Sequence, residues 1–180
     1  MRHHFDAQQW LPCSRELVFA FFANPENLPR LMPRWQKARI EEATFAPPPP
    51  RPESTPVFPG VVAGSGTRVT FSYLLIPYIP IRFPWEARID DFRWNEGFSD
   101  TQDRGPFTYW HHTHTVEATA EPESNRPGTL IRDSIDYELP LGALGDLVNT
   151  LVVRRQIEAL FKFRHARTAE ILSVLDRLAT

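Results

Sequence analysis

The residues with the clearest capacity for chemistry are two histidines and two acidic residues on consecutive predicted strands. His112 and His114 alternate along one strand, so their side chains point to the same face of the sheet. Glu96 and Asp100 have the spacing to share one face of the preceding strand. An imidazole beside a carboxylate can transfer protons, bind a metal ion or fix the register of a sheet.

The distances between these groups depend on how the two strands, over 95–103 and 107–119, pair with each other. If the turn is centred on residues 103–106, facing residues have numbers that sum to about 210, because antiparallel strands pair directly across. This register places Phe98 opposite His112, Glu96 opposite His114 and Asp100 opposite Trp110. The even-numbered face therefore carries several ionisable groups, and the odd-numbered face is the solvent face.

Three interpretations of this polar face stay open. In the first, cross-strand hydrogen bonds simply fix the register. In the second, His112 or His114 is a general base oriented by Glu96 or Asp100. In the third, the two histidines and Glu96 bind a metal ion. No third histidine is clearly nearby, so the sequence predicts no metal site.

The polar face also predicts a cavity, because ionisable groups packed dry against a helix would cost several kcal/mol each. The neighbouring strands supply apolar and aromatic side chains, and mostly apolar walls with a few polar groups are typical of small-molecule pockets. The predicted ligand-binding residues are Phe71, Tyr73, Trp85, Phe98, Trp110, His112, His114, Tyr137 and Phe161.

The elements that must position these residues follow from periodicity and from turn residues. A first strand over 3–11 precedes two short helices, with Ser14 and Asn24 as N-caps and Pro25 in a first helical position. The remaining strands are predicted over 35–45, 65–76, 83–93, 95–103, 107–119 and 128–139. Residues 47–59 contain seven prolines and predict an extended surface loop, and the stretch 76–84 predicts an irregular rim.

A long C-terminal helix is predicted over 145–179, where no proline or glycine follows Gly145. Its apolar stripe changes phase near Arg154-Arg155, so we expect either a bend there or different surroundings at its two ends. The order of elements predicts an α+β fold, an antiparallel sheet of about seven strands with its helices on one face.

Composition excludes several classes of function. The net charge of −2 and the pI of about 6.3 argue against nucleic acid as a partner. Cys13 is the only cysteine, and neither a leader nor a membrane-spanning stretch is evident. We therefore expect one cytoplasmic domain over 1–180, a monomer or weak homodimer. A phosphate-binding loop and a GxGxxG turn are absent, so no cofactor is predicted.

Four segments resemble the SRPBCC superfamily (START-like, helix-grip), close to its bacterial polyketide cyclase/dehydrase-like and cell-division-inhibitor-like branches. They are, in order, WLPCSRELVFAFFANPENLPRLMP, FSDTQDRGPFTYWHHTH, DSIDYELPLG and RRQIEALFKFRHAR. The resemblance implies a curved sheet wrapped around a long C-terminal helix, with an apolar cavity between them. The proline tract looks like an insertion beside the mouth of that cavity. No catalytic residue is implied, because the superfamily shares none.

The residues and the resemblance together favour a protein that binds a small hydrophobic, ring-containing molecule such as a lipid or polyketide. One alternative is a cofactor-free cyclase or dehydratase that uses His112 or His114 with Glu96 or Asp100. The other alternative is a module that interacts with a partner protein.

Overall fold

The structure is a computed structural model and describes residues 1–74, 79–121 and 123–179. Seven strands form one antiparallel sheet: β1 (Arg2–Leu11), β2 (Arg39–Thr44), β3 (Arg68–Leu74), β4 (Arg82–Arg93), β5 (Gly97–Arg104), β6 (Tyr109–Ala120) and β7 (Pro127–Glu138). Their order in the sheet is β1-β7-β6-β5-β4-β3-β2. After β1, which pairs with the last strand, each strand lies beside its neighbour in sequence, as expected for an antiparallel sheet joined by short connections.

The helix between β1 and β2 begins where its capping residue predicts. Helix α1 (Arg15–Phe22) starts after Ser14, whose hydroxyl accepts a hydrogen bond from the backbone N–H of Leu17. A 3-10 helix (Pro25–Leu31) follows, and the Asn24 side chain accepts from the N–H of Glu26. A second 3-10 turn (Arg34–Gln36) leads into β2. Both predicted caps are confirmed.

The C-terminal helix runs from Ala143 to Ala179 in three parts: α2 (Ala143–Val148), a π-helical segment (Asn149–Val153) and α3 (Arg154–Ala179). The π segment ends immediately before Arg154, where the apolar stripe changes phase. Leu144, Leu147 and Leu151 are each more than half exposed, whereas Ile157 and Phe161 of α3 are buried against the sheet. The expectation of different surroundings at the two ends is confirmed.

The sheet is bent by irregularities in β4 and β2. The register shifts between Asp90 and Arg93 on β4, where Asp91 has a positive φ of 45°, and again between Ile40 and Glu42 on β2. Extra residues of this kind increase local twist and bend a strand. The bent sheet faces α3, and the predicted helix-grip α+β fold is confirmed.

Three buried clusters hold these layers together. The largest joins α1 to the end of α3 through residues such as Phe19, Ile131 and Leu172. The second gathers Met32 with aromatic residues of β3 and β4, and the third packs α3 against β7. Space remains between the second and third clusters, in the middle of the sheet.

The proline tract lies away from that space. Its backbone accepts a hydrogen bond from Trp94 at the carbonyl of Pro49, and together with α1 it borders a separate concavity of about 420 Å³. In the described part of the chain, no residue of 47–59 lines the main cavity. The tract, expected beside the mouth of the cavity, thus forms no part of the cavity lining. The predicted rim over 76–84 falls partly outside the described residues.

Within the described ranges, no helix combines the length and the apolarity needed to cross a membrane.

Candidate functional site

A cavity of about 760 Å³ lies between the concave face of the sheet and α3. Strands β3 to β6 provide its floor, α3 covers it, and the 3-10 segments between α1 and β2 close one side. Its volume lies within the range of pockets that hold small organic molecules, about 300–1,000 Å³.

Aromatic rings form one wall of the cavity. Trp85 and Trp110 meet edge to face with ring centroids 4.8 Å apart, and Phe107 lies 4.9 Å from Trp110. Phe71 stacks on Trp85 at 5.8 Å. Pairs of this geometry fix one another's orientation, so the wall presents a preformed surface for a flat apolar group.

Four polar side chains form a cluster on the same face, which we call the His–Asp cluster: Asp100, His112, His114 and Asp133. His112 lies directly opposite Asp100 in the β5–β6 pair, and His114 lies opposite Asp133 in the β6–β7 pair. The register of three neighbouring strands therefore brings the four side chains together. His112, His114 and Asp133 are each at most 5% exposed.

Each histidine lies between the two carboxylates. His112 has its Nε2 3.0 Å from Asp133 Oδ1 and its Nδ1 3.4 Å from Asp100 Oδ2. His114 has its Nδ1 2.7 Å from Asp133 Oδ1 and its Nε2 3.7 Å from Asp100 Oδ2. The short contact of His114 Nδ1 lacks hydrogen-bond geometry, whereas that of His112 Nε2 has it.

Burial and mutual attraction act in opposite directions on these groups. Burial alone would raise the pKa of Asp100 and Asp133, but the adjacent histidines outweigh it and hold both pKa values below the usual range. Burial would lower the pKa of His112, yet its contacts with Asp100 and Asp133 raise that pKa overall. The cluster therefore favours ionised carboxylates at neutral pH.

Asp100 is the member that connects the cluster to the aromatic wall. Its Oδ1 accepts a hydrogen bond from Trp110 Nε1 at 3.2 Å, and its Oδ2 faces the two histidines. Asp100, His112 and His114 line the cavity, whereas Asp133 lies behind the histidines and does not. One wall thus combines an aromatic surface with an ionised hydrogen-bond acceptor.

Eight of the nine predicted ligand-binding residues line this cavity: Phe71, Tyr73, Trp85, Phe98, Trp110, His112, His114 and Phe161. Tyr137 does not line it. That side chain is 1% exposed, and its hydroxyl donates to Asn149 Oδ1 at 2.7 Å, at the start of the π segment. Burial raises its pKa, as it raises that of Tyr73 to about 12.

The predicted pairing of Glu96 with His114 is wrong. Phe98 lies opposite His114 and Asp100 opposite His112, so facing numbers sum to 212 and the register is displaced by two residues. Glu96 lies in the β4–β5 turn, where its side chain is 66% exposed and pairs with Arg93 at 3.6 Å. It does not line the cavity.

Asp133 was not predicted, although the sequence held a signal for it. Its position has the same parity on β7 as Ile131, Ile135 and Tyr137, an alternating apolar row that is typical of the inward face of a strand. A charged residue in the middle of an inward-facing apolar row is rare unless it has a partner. From α3, the predictions also omitted Gln156, Leu160 and Arg164, which line the opposite side of the cavity.

A bent antiparallel sheet that wraps a long helix over an apolar cavity defines a hydrophobic-ligand-binding fold. The comparisons agree with this class. Residues 11–161 match the family described as polyketide cyclase / dehydrase and lipid transport. The match covers more than half of the chain, and the chain belongs to this family. No curated protein matches the sequence.

Solved structures share the fold. TTHA0849 from Thermus thermophilus is similar with a TM-score of 0.59 at 17% identity, and Ara h 8.0201 with 0.58 at 16%. A START superfamily protein from Mycobacterium smegmatis gives 0.54 at 16%. Each comparison covers 94% of this chain and 99% of the other. The predicted membership of the START-like superfamily is confirmed.

Proposed function

We propose that the protein binds a small, ring-containing hydrophobic molecule in the cavity between the sheet and α3. The observation that carries the proposal is the joint presence of a cavity of about 760 Å³ and a wall of preformed aromatic rings. An aromatic or fused-ring ligand would bury its apolar surface against Trp85, Phe107 and Trp110, and burial contributes roughly 25 cal/mol per Å² of apolar surface.

The polar end of such a ligand would lie at the His–Asp cluster. Asp100 supplies an ionised acceptor at the cavity wall, so a hydroxyl or amine that donates a hydrogen bond fits there. An anionic end would be repelled by the same carboxylate. The preferred ligand is therefore a ring system with a donor group at one end, a description that includes phenols and neutral sterol- or polyketide-like alcohols.

The first test is mass spectrometry of the purified protein under native conditions and then after denaturation. A small molecule retained in one-to-one ratio and released on unfolding would support the proposal and identify the chemical class of the ligand. Retention of a large water-soluble metabolite that a cavity of this size could not hold would contradict it.

The second test places the ligand at the aromatic wall. Binding of the neutral fluorescent probe N-phenyl-1-naphthylamine would be titrated in the wild type and in Trp110→Ala. Loss of the ring should weaken binding by about 1–3 kcal/mol, about 5- to 150-fold. The matched control is Trp10→Ala, because Trp10 lies on β1, packs against Arg126 and does not line the cavity.

Equal affinities of Trp110→Ala and the wild type, with an intact near-ultraviolet circular dichroism spectrum, would remove the aromatic wall from the binding site. A loss of affinity in Trp10→Ala equal to that in Trp110→Ala would show that the effect is a general loss of packing.

A further inference from the structure

We propose that Asp100, His112 and His114 bind a divalent transition-metal ion of the Zn²⁺ type, supported from behind by Asp133. One donor atom from each of the three ligands lies within 4.8 Å of the other two. Imidazole nitrogen and carboxylate oxygen are ligands that Zn²⁺ takes readily. The inference is independent of the organic ligand proposed above, although both occupy the same cavity.

The two distances from Asp100 to the histidines are close to those between neighbouring ligands of such an ion. Asp100 Oδ2 is 3.4 Å from His112 Nδ1 and 3.7 Å from His114 Nε2. Ligands at bond lengths of about 2.0–2.2 Å around a tetrahedral ion are roughly 3.3–3.6 Å apart. Direct hydrogen bonds between nitrogen and oxygen are shorter, about 2.7–3.2 Å. The separations on the Asp100 side therefore fit a shared ion better than they fit direct hydrogen bonds.

Asp133 occupies the position of a supporting carboxylate. It contacts the nitrogen of each histidine that the ion would not use, at 3.0 Å from His112 Nε2 and 2.7 Å from His114 Nδ1. At His112 this contact is a hydrogen bond, so the carboxylate keeps the proton on Nε2 and leaves the lone pair of Nδ1 directed at the metal. At His114 the contact lacks hydrogen-bond geometry and is electrostatic only. Trp110 Nε1 supports Asp100 by donating to its other oxygen.

The charge of the cluster also matches a divalent cation. The two ionised carboxylates carry a charge of −2 in a buried site, which is costly without a counter-charge. Throughout the described part of the chain, ion pairs of Asp100 and Asp133 involve histidines and no lysine or arginine. A divalent ion would supply an equal and opposite charge.

The open side of the site faces the cavity, because its three ligands line the cavity and Asp133 does not. Three protein ligands and a free position are the arrangement of metal sites that also bind an exogenous group. With the ion bound, Asp100 is no longer a free acceptor, and the hydroxyl or amine of a bound ring system would instead coordinate the ion at that free position.

The experiment titrates metal-free wild-type protein with ZnCl₂ in a calorimeter and with CoCl₂ in a spectrophotometer, with no organic ligand present. We expect one ion per chain and Co²⁺ absorption bands typical of a tetrahedral nitrogen–oxygen site. Asp100→Asn should lower Zn²⁺ affinity by about 100-fold or more, and Asp133→Asn by about 10- to 100-fold, the effect of losing a supporting partner.

Two histidine variants act as matched controls. His111→Ala removes an imidazole from the opposite face of β6, and His4→Ala removes an exposed one beside Asp6 and Asp136. Both should keep the wild-type affinity. Near-ultraviolet circular dichroism of Asp100→Asn, a substitution of nearly equal shape, checks that the fold is intact.

Two results would overturn the proposal: no heat of binding at millimolar Zn²⁺, or binding that Asp100→Asn leaves unchanged while His4→Ala abolishes it. Either result concerns the ion alone and leaves the proposed ligand binding to be decided by the Trp110→Ala titration.

Discussion

At the scale of single residues, parity along the strands decides on which face the side chains of the His–Asp cluster lie, and exact register decides which of them meet. The sequence predicted an inward-facing even row on β5 and β6, and the structure has it. The predicted register was displaced by two residues, and a shift by an even number keeps every side chain on its face. His112, His114 and Asp100 were therefore predicted on the correct face, with the wrong partners.

The error in register has a specific cause at Gln102. Its side-chain amide donates to the carbonyl of Phe107 at 2.7 Å and its carbonyl accepts from the N–H of Phe107 at 3.3 Å. This side chain closes a loop between β5 and β6 that is not centred on residues 103–106, the centre that the sequence predicts. Since Gln has no strong turn preference, no local pattern predicts this role for it.

The cluster also makes a prediction about stability. Asp133→Asn, measured by urea unfolding in the presence of EDTA, should lower the free energy of unfolding by about 3 kcal/mol, because it leaves buried histidines without their ionic partner. The control is Asp136→Asn on the same strand, where the side chain is 43% exposed and pairs with His4. Asp136→Asn should lower the free energy of unfolding by less than about 1 kcal/mol. Equal effects of the two variants would contradict a buried ionic role for Asp133.

At the scale of elements, the predictable features were those with a local cause. Ser14 and Asn24 cap their helices through hydrogen bonds that lie within three residues in sequence. The proline tract was correctly kept out of the sheet because it lacks donors. Its location could not be predicted, since the hydrogen bond from Trp94 to Pro49 joins residues 45 positions apart.

Strand β5 begins at a glycine that is required by a close contact with the neighbouring strand β6 and not by the local sequence. Gly97 has φ +154°, and a Cβ there would lie 2.0 Å from the carbonyl oxygen of His114. Gly97→Ala should lower the free energy of unfolding by roughly 2–4 kcal/mol, because both the backbone and the strand pair must shift. Urea unfolding would measure this loss. The shift should also displace His114 and weaken any binding at the cluster.

Gly142→Ala is the matched control for this change. Gly142 also has a positive φ, +52°, but a Cβ there would meet no atom within 4 Å. Its ψ of −124° lies outside the left-handed helical region, so the backbone penalty alone should lower the free energy of unfolding by about 1–3 kcal/mol. If the two alanine variants were equally stable, close approach of β6 would not be the reason for glycine at position 97.

At the scale of the whole molecule, the sheet and α3 enclose space instead of closing on each other. The π segment and α2 leave Leu144, Leu147 and Leu151 exposed, while α3 turns Ile157 and Phe161 toward the sheet. Sequence periodicity predicted the change of phase, but the volume left beneath the helix depends on how far the sheet bends. The bend of the sheet arises from the irregularities in β4 and from packing among residues that are far apart in sequence.

A change that fills the cavity tests this arrangement directly. Ala87 lies on β4 at the cavity floor beside the aromatic wall. Ala87→Leu should leave the free energy of unfolding within about 1 kcal/mol of the wild type, because the larger side chain grows into unfilled space. It should weaken N-phenyl-1-naphthylamine binding by about tenfold or more, since the added atoms occupy ligand volume. Urea unfolding and a fluorescence titration measure the two effects.

Ala63→Leu provides the comparison, since Ala63 is 3% exposed and lies outside the cavity. Overpacking at position 63 should lower the free energy of unfolding by about 1–3 kcal/mol. The molecules that remain folded should bind the probe as the wild type does. If Ala87→Leu destabilised the protein as much as Ala63→Leu, the floor would have no room for a ligand. If it instead left the probe affinity unchanged, the probe would bind elsewhere, and the space between the sheet and α3 would not be the binding site.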